Sequence, residues 1–174
     1  MHAKSTMDVK KITVSALLTA LTIIIPMLPI PKLVLGPFSA TLASHVPGIL
    51  AMFISPFTVV CTSVGAAIGF LATLGPLVAL RAFSHIIFGL VGCYMLKKQW
   101  NYFIVIVVTM LLHGAGEVFV ALMFGEAFMA IWKTVGCFTM IHHLLDFAIS
   151  TVVYKALKSA KIIVAPVNYK NLKA

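Results

Sequence analysis

Two basic side chains within one apolar stretch are the first candidates for chemistry. Residues 77–96 read LVALRAFSHIIFGLVGCYML and carry Arg81 and His85. An apolar segment of about 20 residues is long enough to cross the hydrocarbon core of a bilayer. A guanidinium placed in that core costs at least about 2.5 kcal/mol, so this arginine requires a bound anion, a charge partner or a route to the interface.

Polar side chains also interrupt the other apolar stretches. The further candidates are His45, His113, Glu117, His142 and Asp146. Two pairs of them are four residues apart and therefore share one face of a helix. Such pairs can bind a metal ion, but HGAGE lacks the second histidine of the HExxH motif, so the sequence predicts no metal site. No serine, histidine and acid set forms an activated nucleophile, and no catalytic residue is predicted.

The composition indicates the class of protein. The chain has 174 residues, of which 61% are hydrophobic and 10% charged, with a mean hydropathy of +1.10. Soluble domains have roughly 25% charged residues, so this balance is typical of a multi-pass membrane protein. The net charge of +9 would favour nucleic acid in a soluble chain. Here the lysines lie between or beyond the apolar stretches, so topology explains them and no nucleic-acid partner is predicted.

The apolar stretches predict one domain over residues 1–174. The predicted fold is an all-α integral membrane protein, a compact bundle of six transmembrane helices with both termini cytoplasmic. The first span follows Lys10 and Lys11, as a signal peptide would, but it runs into three prolines without a clear cleavage site. We therefore expect it to be an uncleaved helix. The predicted spans are approximately 12–26, 39–55, 57–74, 77–96, 102–124 and 134–157.

The distribution of lysines predicts the orientation. Six spans place both ends of the chain on one side of the membrane, and the positive-inside rule makes that side cytoplasmic. Only Lys32 and Lys133 lie on the opposite side. A five-span topology would separate the two basic ends. The predicted cytoplasmic set is Lys4, Lys10, Lys11, Lys97, Lys98, Lys155, Lys158, Lys161, Lys170 and Lys173.

This orientation converts sequence position into depth. Arg81 lies roughly 6 Å below the outer end of its span, at ~1.5 Å per residue, and His85 is one turn deeper on the same face. The other candidates fall in the outer half or near the middle of their spans: His45, Glu117, His142 and Asp146. Because charged groups in a membrane face the bundle interior or a water-filled cavity, we expect an outward-facing polar pocket.

Each candidate also has a structural interpretation. Arg81 could pair with Glu117, or reach the outer interface, instead of contacting an anionic ligand. The remaining candidates could form hydrogen bonds between helices: His45, His85 and the pair His142 with Asp146. The neighbours of His113 and His143 do not assign them a role.

Several segments together resemble a known family. Ala16 and Ala20 lie four residues apart in the first span, and a proline-rich external loop follows. Residues 37–56 read PFSATLASHVPGILAMFISP, and residues 77–92 read LVALRAFSHIIFGLVG. With six short spans, this combination resembles the S components of energy-coupling factor (ECF) vitamin transporters over nearly the whole chain. The two long segments are similar to the niacin or pantothenate type.

The resemblance implies a role as the substrate-specific binding subunit of an ABC-type importer in a prokaryotic plasma membrane. Such a subunit captures one vitamin near the outer surface and docks on a transmembrane coupling subunit that carries two ATPase subunits. Ala16 and Ala20 would form the docking face. The gate over the site would be the first external loop, residues 28–38, which includes Pro29, Pro31 and Lys32. The chain has no Walker A motif, so the partner ATPases would use ATP and this chain would bind no cofactor.

The chemistry of Arg81 narrows the ligand. Nicotinate and pantothenate each carry a carboxylate that a guanidinium can bind through two parallel hydrogen bonds. The resemblance favours niacin, with pantothenate as the alternative. A further alternative is a stand-alone transporter in which Glu117 and Asp146 relay protons. The predicted substrate-binding residues are Arg81, His85, His45, Glu117, His142 and Asp146.

Overall fold

Helices dominate the computed structural model of the chain, which describes residues 9–35 and 38–163. Three lysines of the predicted cytoplasmic set, Lys4, Lys170 and Lys173, lie outside these residues, as do positions 36–37 of the predicted gate. The elements in chain order are α1 (Val9–Ile24), a 3₁₀ turn (Ile25–Met27), β1 (Lys32–Leu35), β2 (Phe38–Thr41), α2 (Val46–Met52), α3 (Pro56–Leu74), α4 (Pro76–Phe83), α5 (His85–Lys97), α6 (Tyr102–Met123), α7 (Phe128–Ile131), a π-helical turn (Trp132–Gly136) and α8 (Cys137–Ser159).

Five helical segments of the described chain are long and apolar enough to cross a membrane. They are Val9–Met27, Pro56–Leu74, Pro76–Lys97, Tyr102–Met123 and Phe128–Ser159. The predicted class, a helical membrane protein, is confirmed. The outer surface of the bundle carries large apolar side chains, as contact with lipid requires. Examples are Leu17, Leu21, Ile68, Leu71, Phe119 and Val152.

Capping residues explain where helices α3 and α4 begin. The Ser55 side chain accepts a hydrogen bond of 3.1 Å from the Thr58 backbone N–H, and Pro56 occupies the first position of α3, where an N–H is not needed. Gly75 has a φ of 85° and reverses the chain before Pro76 begins α4. These local signals are visible in the sequence, which is why the boundaries of this region were predicted closely.

The predicted helix over residues 39–55 is wrong. Phe38–Thr41 pairs with β1 in an antiparallel hairpin, and only Val46–Met52 is helical. Seven residues extend about 10 Å, too short to cross a membrane. Six residues of α2 are buried: Val46, Pro47, Ile49, Leu50, Ala51 and Met52. A helix that is enclosed by protein needs neither the length nor the lipid-facing surface of a transmembrane helix. The sequence of such a helix can still be as apolar as that of a transmembrane helix.

Side-chain contacts show that α1 and α3 are parallel. The Ser15 hydroxyl lies 2.7 Å from the Thr58 hydroxyl, in the first half of both helices. Further along, Gly69 of α3 lies against the backbone of Ile23 of α1. Parallel neighbours require the intervening chain to return to the starting side. The hairpin and α2 make that return inside the bundle.

The last helix provides a second reference for direction. His45, just before α2, contacts Asp146, and Phe53, just after α2, stacks on Tyr154 with 4.3 Å between ring centroids. Helix α2 is therefore parallel to α8. Helix α6 is antiparallel to α8, because its first residue, Tyr102, contacts Thr151 late in α8. The start of α2, the second half of α6 and the first half of α8 consequently meet at one end of the bundle.

Gly69 provides a stability test of the contact between α1 and α3. A Cβ at this position would lie 2.5 Å from the backbone oxygen of Ile23, whereas a Cβ at Gly48 would meet nothing within 4 Å. We expect Gly69→Ala to lower the free energy of unfolding by about 1–3 kcal/mol, the usual cost of overpacking. The matched control, Gly48→Ala, should not lower it. Unfolding in mixed micelles measures both, and an equally stable Gly69→Ala protein would contradict this contact.

Candidate binding site

Most of the chain's histidine, acidic and arginine side chains meet in one place. The sequence has six histidines, four acidic residues and one arginine. Five histidines, two acidic residues and the arginine form a connected group, here called the polar cluster, in which all members are buried except the half-buried His45. Its members are His45, Arg81, His85, His113, Glu117, His142, His143 and Asp146. All six residues predicted for substrate binding belong to it, together with His113 and His143, to which the sequence assigned no role.

Arg81 and Glu117 form the ion pair of the cluster. The Arg81 side chain donates to Glu117 Oε2 from Nε at 3.0 Å and from Nη2 at 2.5 Å. The residues are only 2% and 6% exposed, respectively. The Thr139 hydroxyl donates to the same oxygen at 2.9 Å. Of the interpretations that the sequence left open for the arginine, pairing with Glu117 is the one observed here.

A short turn brings this pair together. Arg81 and His85 lie on either side of Ser84, the single residue between α4 and α5, whose hydroxyl donates to the Arg81 backbone oxygen at 2.7 Å. On α6, Gly116 precedes Glu117, and a Cβ on this glycine would lie 3.1 Å from the Ser84 oxygen. The small residue therefore lets α6 approach the turn closely enough for the ion pair to form.

Hydrogen bonds fix the proton positions on two histidines of α6 and α8. The Thr109 hydroxyl donates to its own helix backbone, so its oxygen accepts from His143 Nε2–H at 3.1 Å. In its neutral form, His143 then has an unprotonated Nδ1, which accepts from His113 Nδ1–H at 3.0 Å. This series of hydrogen bonds leaves His113 with an unprotonated Nε2. That nitrogen lies 3.1 Å from His85 Nε2.

His45 and Asp146 form the second charged contact. The His45 backbone N–H and ring Nδ1 both lie 3.0 Å from Asp146 Oδ2, and Asp146 is completely buried. His142 Nε2 lies 3.2 Å from the same oxygen, so the predicted one-turn neighbours are in contact. However, that contact lacks hydrogen-bond geometry. Within the described chain, His142 Nε2 and Asp146 Oδ1 are buried atoms without a hydrogen-bond partner.

Strand β2 covers the polar cluster. A cavity of about 20 Å³ between them is lined by Ser39, Arg81, Glu117 and His142, among others. That volume accommodates about one water molecule. A small-molecule ligand therefore cannot enter the cluster unless the covering strand or its neighbours move.

A larger cavity, open to the surface of the bundle, lies next to the first, between the hairpin and α8. It has a volume of about 420 Å³ and is mostly apolar, and Lys32 and His142 are among its lining residues. Both cavities are bordered by Phe38, Ala40 and His142. The Phe38 ring packs on Phe138 with 5.4 Å between centroids. These side chains form the wall between an apolar space of ligand size and the charged groups.

The other residues implicated by the sequence lie away from the cluster. Pro29 and Pro31 are exposed in the segment that leads into β1, and Lys32 donates to the Pro26 backbone oxygen at 2.8 Å. Ala16 and Ala20 are exposed on α1. The opposite face of α1 carries its buried residues, Ser15, Leu18 and Thr22.

The buried ion pair predicts a specific pattern of stability. Arg81→Met leaves the Glu117 carboxylate buried without its cation, and we expect the free energy of unfolding to fall by about 3–5 kcal/mol. Adding Glu117→Gln removes the uncompensated charge and should restore a large part of this loss. Unfolding of both single variants and of the double variant in mixed micelles measures the coupling. Strictly additive effects of the two substitutions would contradict a direct pair.

Comparison with known proteins supports the predicted resemblance. The chain is 44% identical over 91 residues to the niacin transporter NiaX of Lactococcus lactis subsp. cremoris (strain MG1363). The matched region is 52% of this chain and spans 41% of the relative's length. No family model and no solved structure matches the chain. The similarity confirms the predicted resemblance to a niacin-type transporter and, with the five span-length helices, identifies a multi-pass protein of the cell membrane.

Proposed function

We propose that this chain is the substrate-binding subunit of a vitamin importer and that its ligand is a carboxylate vitamin, with nicotinate as the first choice. The observation that carries the proposal is the chain's single arginine, buried among histidines beneath a hairpin. The similarity to a niacin transporter supports the same ligand. The chain binds and releases the vitamin unchanged, so it is not an enzyme.

The ligand carboxylate exchanges with Glu117 on the arginine. One charge-assisted contact then replaces another, so the guanidinium is never left unpaired. The displaced carboxylate keeps other donors, because the Thr139 hydroxyl and the His85 ring lie 2.9 Å and 3.4 Å from its oxygens. The exchange therefore resolves the apparent conflict between a structural and a ligand-binding role for Arg81.

A pyridine ring fits the apolar side of the site. The larger cavity provides apolar walls, and His142 borders both cavities. Its Nε2 has no hydrogen-bond partner within the described chain. An imidazole N–H at this atom could donate to the nitrogen of nicotinate, which is an acceptor. Pantothenate offers the same carboxylate without the ring nitrogen, and it is the alternative ligand.

The hairpin acts as the gate in this proposal. The space next to Arg81 holds about one water molecule, so ligand entry requires β2 to separate from the cluster. Separation breaks the contact between Phe38 and Phe138 and joins the two cavities. Pro29 and Pro31 precede β1 and Lys32 is its first residue, so all three lie in the segment that would move when the hairpin opens.

The proposed topology has six crossings, with both termini in the cytoplasm. Helix α2 and its flanking residues form the second crossing, because α1 and α3 are parallel. The positive-inside rule places the hairpin outside. The partners are a coupling subunit and two ATPase subunits, which supply the ATP-driven step. The exposed face at Ala16 and Ala20 is the docking surface, since small residues allow close helix approach.

Binding of nicotinate by purified protein tests the proposed ligand. We expect saturable binding without ATP by isothermal titration calorimetry, with pantothenate as the competing ligand. Arg81→Lys keeps the charge but removes the planar pair of donors, so the affinity should fall by about tenfold or more. Lys133→Met removes an exposed cation outside the cluster and should not change it. Unchanged affinity in a folded Arg81→Lys protein would contradict the role of the arginine.

The docking surface is tested with a bulky substitution. Ala16→Trp adds a large side chain to the exposed alanine face, so vitamin uptake with the coupling module should be abolished while binding is retained. Leu17→Trp is the matched control, because Leu17 is already a large exposed side chain of α1. Equal uptake by the two variants would contradict docking through Ala16. Uptake by the chain alone in liposomes would instead favour a stand-alone transporter.

A further inference from the structure

Three ligand-type atoms of the polar cluster have the spacing of a tetrahedral metal site. The distances are 3.1 Å between His85 Nε2 and His113 Nε2, and 3.4 Å between His85 Nε2 and Glu117 Oε1. The third distance, from His113 Nε2 to Glu117 Oε1, is 3.5 Å. Zinc bonds of about 2.0–2.1 Å place tetrahedral ligands about 3.3 Å apart. His45 supplies a fourth atom, and all four lie within 4.8 Å of one another.

Hydrogen bonds to the Nδ1 atoms of His113 and His45 leave the Nε2 atom of each ring with the lone pair that a metal ion requires. His143 accepts from His113 Nδ1–H, so the Nε2 of His113 carries a lone pair. In the same way, Asp146 accepts from His45 Nδ1–H and leaves His45 Nε2 unprotonated. A metal-binding histidine typically donates its second N–H to a carboxylate, a carbonyl or another acceptor. Both rings are therefore arranged as ligands rather than as donors toward the centre.

The carboxylate is supported in the same manner. Arg81 and Thr139 both donate to Oε2 of Glu117, at distances of 2.5 to 3.0 Å. Oε1 is left directed toward His85 and His113. A ligand carboxylate that is hydrogen-bonded through its second oxygen has a fixed orientation. The arrangement thus directs one acceptor atom each from His45, His113 and Glu117 toward the same region, beside His85 Nε2, which a metal ion would deprotonate.

The formal charge of the cluster also favours a cation. With neutral histidines, Arg81 contributes one positive charge, and Glu117 and Asp146 contribute two negative charges. A buried group with net negative charge repels an anionic ligand and is costly in an apolar environment. A divalent cation makes the net charge positive by one unit, which a single ligand carboxylate would neutralise. This link to the carboxylate rests on the proposed function, whereas the metal site does not.

We propose that His45, His85, His113 and Glu117 bind one divalent transition-metal ion, with Zn²⁺ as the best fit. Three imidazoles and one carboxylate suit zinc and its neighbours in the first transition row. The sequence alone favoured no metal, because the pair on α6 lacks a second histidine at motif spacing. The missing ligands come from His45 and His85, which only the fold brings to this pair.

Cobalt titration of the full chain tests the metal site. The protein is purified in detergent with a tag that contains no histidine, stripped with a chelator and titrated with Co²⁺. We expect one equivalent to bind with the visible spectrum of tetrahedral nitrogen and oxygen ligation. His85→Gln should weaken binding by at least about 100-fold, beyond the range for a residue that only supports a ligand. His2→Ala, which changes the sixth histidine, should leave binding unchanged.

Three results would overturn the proposal. These are no stoichiometric binding, equal affinity in the His85→Gln protein, or a thiolate-to-cobalt absorption band that assigns the metal to a cysteine. If His85→Gln does not yield monodisperse protein, His45→Gln replaces it, because His45 lies outside the helices. Affinity that survives this substitution would likewise overturn the site.

Thr109→Val tests the hydrogen-bond chain behind the site. The substitution preserves shape but removes the acceptor that fixes the His143 ring, so His113 is no longer held in its ligand tautomer. We expect cobalt affinity to fall by about 10-fold, with a shifted visible spectrum. A purely structural role of Thr109 would leave the spectrum of the folded protein unchanged, and that result would overturn the proposed positioning role.

Nicotinate titration before and after metal removal separates this proposal from the proposed function. Weaker nicotinate binding after stripping, restored by Zn²⁺, supports the charge link. Equal nicotinate binding in both samples would overturn the charge link and leave the proposed function intact. Cobalt binding without any nicotinate binding would support the metal site and contradict the proposed ligand.

Discussion

The buried ion pair between Arg81 and Glu117 is the interaction on which the rest of this site depends. A guanidinium inside a helical bundle is tolerated only beside a group that compensates its charge, and Glu117 provides one at 2.5 to 3.0 Å. The pair holds the turn between α4 and α5 against α6. It also leaves the second carboxylate oxygen facing the histidines, which links the charge of the arginine to the rest of the polar cluster. A ligand that binds this arginine must therefore reorganise the whole group.

The need to compensate and enclose buried charges also explains why β2 and α2 cover the polar cluster. Charges in a membrane must be enclosed by protein or water, and here β2 and the short helix α2 enclose them. Helix α2 makes its contacts inside the bundle, so it requires neither the length nor the outer surface of a span. Its shortness leaves room for the hairpin above the site. The small polar cavity and the larger apolar one then lie on two sides of a wall that includes Phe38 and His142.

The sequence predicted the apolar spans and the convergence of the polar side chains, because both follow from length, charge placement and depth. The starts of α3 and α4 at Pro56 and Pro76 were also predictable, because proline is favoured at the first position of a helix. The hairpin was missed because an apolar, proline-containing stretch does not distinguish burial in protein from contact with lipid. The roles of His113 and His143 were missed because they depend on hydrogen bonds between α6 and α8. The sequence did not predict the hydrogen bonds of Thr109 and Thr139 within the site, because threonines in helices usually form hydrogen bonds only to the backbone of their own helix.

We propose that the polar cluster recognises the carboxylate of a vitamin. Nicotinate and nicotinamide share a ring and differ in one charged group, so comparison of their dissociation constants isolates the contribution of that group. Calorimetry on one preparation of the purified chain measures both. We expect saturable nicotinate binding and an affinity for nicotinamide lower by at least about 30-fold, the equivalent of about 2 kcal/mol for a buried charged contact. Equal affinities for the two compounds would contradict it.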